Sequence, residues 1–211
     1  MHFTPQEEVA ILAAAGLDKM DCDPLREQYS SNVRYYHTYQ HALNVLSWVN
    51  TAAMRLFQHH THVALGMAAL YHDAVYDDLG SPENERRSAD LLPREAMMAR
   101  HLVMLTAEHG KIDNDIHTVS EAGAYFLDCD MAAFLCDPRF EVVLCNDMNI
   151  RKELRLVYAE KEVSEGRARF LKALYDRKYI FLSSYFRQEH ERLARSNLWH
   201  LVFGGLYKKD K

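Results

Sequence analysis

Apolar positions recur at helical spacing along almost the whole chain, and runs of alternating apolar and polar residues bounded by hairpin turns are missing. Thr4-Pro5-Gln6-Glu7 is a capping box with Pro at the first helical position, and Gly16 closes the apolar stretch behind it, which predicts a helix over 5–15. A short helix is expected over 24–29. From 37 to 58, Leu43, Leu46, Val49, Ala53 and Leu56 fall three and four apart and draw one apolar stripe. The next segment, 63–76, is apolar nearly all round and predicts a central, buried helix. Leu79-Gly80-Ser81-Pro82 reads as a turn and a second N-cap with Pro, launching a helix over 83–91 that Pro93 ends. Further helices are expected over 94–107, 117–127, 140–159, 164–177 and 183–201. With no internal repeat and no linker rich in Gly, Ser or Pro, the pattern predicts an all-α fold in one domain spanning 1–211.

Composition narrows the classes without changing that picture. A chain of 211 residues with 48% hydrophobic and 26% charged residues is too apolar for disorder, and no apolar run approaches the roughly 18 residues of a membrane span. No membrane association is therefore expected. The net charge of −5 argues against an extended nucleic-acid surface, which needs a concentrated basic field, but leaves room for a small anionic substrate. Glu7 and Glu8 interrupt the opening segment, so it reads as helix and not as an export leader. Cys22, Cys129, Cys136 and Cys145 have no CxxC spacing, which favours reduced thiols and a cytoplasmic protein. A homo-oligomer stays open.

Histidine is the outlier, with 12 copies. Three groups stand out: Tyr36-His37-Thr38-Tyr39-Gln40-His41, Tyr71-His72-Asp73 and Asp128-Cys129-Asp130. Imidazole and carboxylate ligands suit a divalent cation, and four of them leave coordination positions free for water and substrate. The doublet His72-Asp73 is the most informative, because it follows an apolar run and a buried carboxylate needs a cation or several donors. Adjacent helical residues diverge by about 100°, so the pair must straddle an ion, whereas His37 and His41 share a face. Spacing alone does not separate Asp128 from Asp130. His59, His60 and His62 read as a solvated loop between helices, and His101 and His109 as intermediate cases.

At these residues the chain resembles the HD superfamily of metal-dependent phosphohydrolases, which carry a His, a later His-Asp doublet and a distant Asp. More narrowly it is similar to a group of small bacterial HD phosphohydrolases, on Arg34-Tyr35-Tyr36-His37 through His41, His72-Asp73-Ala74-Val75-Tyr76-Asp77, Asn84-Glu85-Arg86-Arg87-Ser88-Ala89 and Phe126-Leu127-Asp128-Cys129-Asp130. The likeness continues through Ile150-Arg151-Lys152-Glu153, Gly166-Arg167 and Glu191 to Asn197, where helix packing and ion pairing are the expected roles. Where that group has a Thr-x-His-His stretch, this chain keeps only His109, a departure that weakens the case for a second metal.

The resemblance implies an HD-type bundle with its metal core at about 30–135 and added C-terminal helices over about 138–205. It implies one divalent ion, drawn from Mn, Mg, Co, Ni, Zn and Fe, on His41, His72, Asp73 and Asp130, with Asp128 behind them. The expected reaction is hydrolysis of a small phosphorylated substrate, a nucleotide among the candidates, by water activated at the metal. Asp73 would orient that water. Asp77, placed one turn after Asp73, and Glu85 are the acid–base candidates. Arg34 and Lys111 are expected to meet the phosphate, and His37 and His109 to face the substrate. Two other classes fit the same residues: a di-iron oxygenase, which needs extra ligands such as His101 and His109, and a binding module with a closed, structural metal.

Overall fold

The computed structural model describes residues 3–77, 81, 83–108 and 119–204, by backbone alone at 20, 21 and 23. These residues form α1 (Pro5–Ala14), α2 (Lys19–Gln28), α3 (Tyr39–Leu56), α4 (His59–Tyr71), α5 (Glu83–Asp90), α6 (Met97–Leu105), α7 (Glu121–Leu135), α8 (Phe140–Leu154), α9 (Glu160–Asp176), α10 (Ser184–Glu189) and α11 (Glu191–Phe203), with a 3₁₀ turn at Thr106–Glu108 after α6. The fold is all-α, with no strand among the described residues. No helix among them is long and apolar enough to cross a membrane.

The capping box at the start of α1 forms as the sequence predicts: Thr4 accepts from the Glu7 N–H while Glu7 accepts from the Thr4 N–H at 2.8 Å. Gly16 closes the helix at a φ of 72°, which a side chain would resist. α3 lies at the centre, packed on α4, α7 and α1, and its stripe residues Leu43, Leu46, Val49 and Ala53 are fully buried. α6 covers α4 and carries α5, while α10 and α11 pack on α7 and α9 packs on α11 and α8. Gly66 permits the tight seat of α4 on the end of α1, since a Cβ there would come 2.9 Å from the Ala15 methyl.

Several element boundaries differ from the sequence pattern, α2 beginning at Lys19 where 24 was expected and α8 ending at Leu154 where 159 was, and four of the differences have a tertiary reason. α4 begins at His59, inside the expected histidine loop, and His62 is 1% exposed with its Nε2 2.9 Å from Asn50 Oδ1. α4 also stops at Tyr71 and not at 76. The Tyr29 hydroxyl donates to the Leu70 carbonyl at 2.7 Å, and the Arg34 guanidinium to those of Asp73 and Ala74 at 2.6 and 2.9 Å, so remote donors replace the next turn. α7 runs eight residues past its expected end at Leu127, because Ala132, Ala133, Phe134 and Leu135 extend its buried face. The last expected helix is broken at His190, where Glu191 turns back to accept from the Ile180 and Phe181 N–H groups. None of the four cysteines is in a disulfide, and three of them are buried.

A buried ion-pair group ties α8 to α9. Asp147 lies 2.7 Å from both Arg151 and Arg167. Burial alone would raise its carboxyl, but Arg167 and Arg151 outweigh burial and hold it below its ordinary value. A depressed carboxylate contributes stability that is present above its unfolded pKa, about 3.9, and lost as pH falls through the lower folded value. Asp147→Asn is thus expected to cost about 2 kcal/mol at pH 7, and the difference from wild type to shrink below about pH 4. Urea denaturation at pH 7 and pH 3.5 measures both; an equal difference at the two values contradicts the account.

Candidate metal centre

Three helix segments bring the candidate ligands together. His41 stands in the first turn of α3, His72 caps the C-terminus of α4 with Asp73 directly after it, and Asp130 lies in the middle of α7. His41, His72 and Asp73 form the group of potential ligands among the described residues, with donor atoms all within 4.8 Å of one another. The two Nε2 atoms are 3.3 Å apart. Asp73 Oδ2 lies 3.0 Å from His72 Nε2 and 3.6 Å from His41 Nε2. Asp130 Oδ1 joins at 3.2 Å from His41 and 3.8 Å from His72. Donors bound at about 2.1 Å to one ion stand roughly 3.0 Å apart at octahedral corners and 3.4 Å at tetrahedral ones. The observed separations are of that size.

The protonation pattern fits a cation as well. His72 Nδ1 lies 3.0 Å from the Ala69 carbonyl, so it carries the hydrogen and Nε2 turns inward, the orientation a metal-ligating imidazole takes. Burial opposes charge on His72, but Asp73 and Asp130 outweigh it and push the imidazole up to about 9. Burial likewise opposes charge on Asp73, and His72, His37 and His41 overcome it, holding this carboxyl well below the usual carboxylate range. The cluster calls for positive charge at its middle. The histidine side chains are only 3% and 2% exposed, against 16% for Asp73 and 22% for Asp130, so the centre opens to solvent on its carboxylate side.

Asp128 and Asp130, which spacing could not separate, face opposite ways. On a helix they are about 200° apart. Asp128 is buried and accepts from the Leu182 N–H at 2.8 Å, the Ser183 N–H at 2.7 Å and the Ser183 hydroxyl at 2.6 Å, fixing the start of α10. Asp130 meets the histidines.

Behind the ligands, His37 stacks on Tyr76 at 4.2 Å between ring centroids, and its Nδ1 lies 2.6 Å from Glu153 Oε2. The other oxygen of Glu153 accepts three successive backbone N–H groups, from Tyr35, Tyr36 and His37, at 2.6, 2.6 and 3.1 Å. Sequence reasoning took Glu153 for an ion-pair residue of a packing helix; its work is to hold the segment that delivers His41. Nothing in its spacing signals that, because the partners are more than 110 positions away.

Other expected site residues are placed differently. Asp77 is corrected: with α4 ending at Tyr71, its one-turn relation to Asp73 does not exist, and it is exposed in a bidentate pair with Arg87 at 2.7 and 2.9 Å. Arg34 is corrected as well. Its guanidinium is turned to the carbonyls of His37, Asp73 and Ala74, so it clamps backbone where a phosphate contact was expected. Glu85 is half-buried on α5. Burial raises its carboxyl, Asp73 adds to the rise, and its Oε2 is buried without a hydrogen-bond partner. His101 is exposed on α6. His109 and Lys111 lie outside the described residues.

Two hollows adjoin the centre. A cleft of about 100 Å³ includes His41 itself, with Tyr36, Thr38, Asn44, Asn146 and Asn149. A larger, mostly apolar cavity of about 390 Å³ lies beside Arg34, Ala74, Tyr76 and Glu153 and contains none of the four ligands. Comparison with protein-family models, with curated proteins and with solved structures finds no match to the chain.

Proposed function

We propose that the chain is a metal-dependent phosphohydrolase of the HD type that hydrolyses a small phosphoester. The observation that carries this reading is the meeting of two inward-turned imidazoles and two carboxylates, from three separate helices, at ligand-to-ligand distances. A divalent ion held there supplies a Lewis acid for a phosphoryl oxygen and acidifies water, to a pKa of about 7 in the most favourable zinc sites. The protein's part is arrangement. Asp73, fixed through its backbone by Arg34, orients the attacking water. Glu85, whose carboxyl is raised by burial, is the candidate to give a proton to the departing oxygen. The open carboxylate side favours this reading over a metal closed to substrate.

The test is a panel of phosphoesters with Mn, Co, Ni, Mg and Zn, run on the wild type and on Asp73→Ala, with elemental analysis of both. Turnover that needs one of these metals and disappears in the variant is expected. Absence of bound metal together with equal activity of the two proteins would refute the proposal.

A further inference from the structure

Tyr36 carries a hydroxyl for which the folded chain offers no use. Its oxygen is covered by protein and has no hydrogen-bond partner, and the residue as a whole is nine-tenths buried. A buried polar group left unsatisfied costs about 1–3 kcal/mol, so such groups are rare where nothing else claims them. Nor is the side chain free to turn elsewhere. Its N–H is held by Glu153, its ring lies 4.5 Å from the His41 ring, and it meets Phe134 edge-on at 6.3 Å. Phe134 is one turn beyond Asp130 on the same face of α7. The residue also lines the cleft that includes His41. A phenol carries its proton at neutral pH, so the hydroxyl is a donor.

We infer that the Tyr36 hydroxyl donates its hydrogen bond to an oxygen of the anion bound at this centre, making it the protein-side grip on the phosphoryl group. A donor fixed in advance and shielded from water is the kind of group that stabilises an oxyanion most effectively. The inference rests on the phosphohydrolase reading. It adds a binding residue that the metal ligands do not include.

Tyr36→Phe removes one oxygen and keeps the ring packing, so it isolates the hydroxyl. Three quantities decide: the melting temperature of the metal-free protein, the affinity for Mn2+, and the affinity of the Mn2+-loaded protein for inorganic phosphate by calorimetry. The metal-free variant is expected to melt no lower than wild type, because the hydroxyl satisfies nothing there. Mn2+ affinity should stay within about twofold, and phosphate affinity fall about tenfold, the equivalent of ~1.4 kcal/mol. A melting point lower by several degrees marks a structural hydroxyl and overturns the assignment. Weaker Mn2+ binding with unchanged phosphate binding does the same. Wild-type protein that binds Mn2+ but no phosphate defeats the phosphohydrolase reading and this one with it, whereas equal phosphate affinity in both proteins defeats only the role of Tyr36.

Discussion

Glu153→Ala is expected to destabilise the protein by on the order of 4 kcal/mol, more than any other single truncation outside the hydrophobic core. The reason is the number of donors that one carboxylate satisfies. Three consecutive backbone N–H groups and the His37 ring converge on it, the Tyr36 bond buried and the others partly so. Alanine leaves them all without an acceptor, and a buried donor without one costs about 1–3 kcal/mol. Glu153→Gln keeps one carbonyl oxygen but sets an NH2 against the remaining donors, so it should recover less than half of the loss. Urea denaturation of the metal-free protein measures both, which separates the effect from metal binding. A loss under about 1 kcal/mol for the alanine variant would mean that the segment before α3 is held by other contacts. Since that segment delivers Tyr36 and His41, the same variant should also bind Mn2+ more weakly, as outer supports of metal ligands are worth ten- to hundredfold in affinity.

The helices of this fold were largely legible in the spacing of apolar residues, because most of them bury one stripe and leave the rest polar. Local signals succeeded where the chain itself caps the helix, as at Thr4 to Glu7 and Gly16. They failed where a distant residue does the capping. Nothing near Tyr71 announces a stop; Tyr29 and Arg34 impose it from across the bundle. That one boundary changes the chemistry, because Asp77 as a partner of Asp73 depended on a turn of helix that is not formed. The apolar run from Ala132 to Leu135 shows the opposite error, where a polar interruption at Asp128 and Asp130 looked like an end and is instead a place where two carboxylates find partners on opposite sides. Glu85 and Tyr36 were visible only as residue types. What distinguishes them is an unsatisfied buried oxygen, a property of packing that no pattern along the chain records.

Exchanging the two aspartates of α7 for asparagine, one at a time, is expected to separate function from fold. Asp130→Asn withdraws a charged ligand from the centre, and Mn2+ affinity should fall by about a hundredfold, at or beyond the upper end of what outer supports contribute. With Mn2+ at a thousand times the wild-type dissociation constant, the ion stabilises wild type by about 4 kcal/mol, and a hundredfold weaker site retains about 1.4 kcal/mol of that. Without metal the variant should fold about as well as wild type, since Asp130 is partly exposed and borders two histidines already drawn together with Asp73. Asp128→Asn should do the reverse. Its carboxylate fixes the start of α10 through three donors, so the metal-free protein loses about 1–3 kcal/mol while the Mn2+ increment is kept. Thermal unfolding of both variants with and without Mn2+ gives all four numbers. If the Mn2+ increment disappears in Asp128→Asn and survives in Asp130→Asn, the ion is held on the other face of α7, and the site built here from His41, His72, Asp73 and Asp130 is wrong.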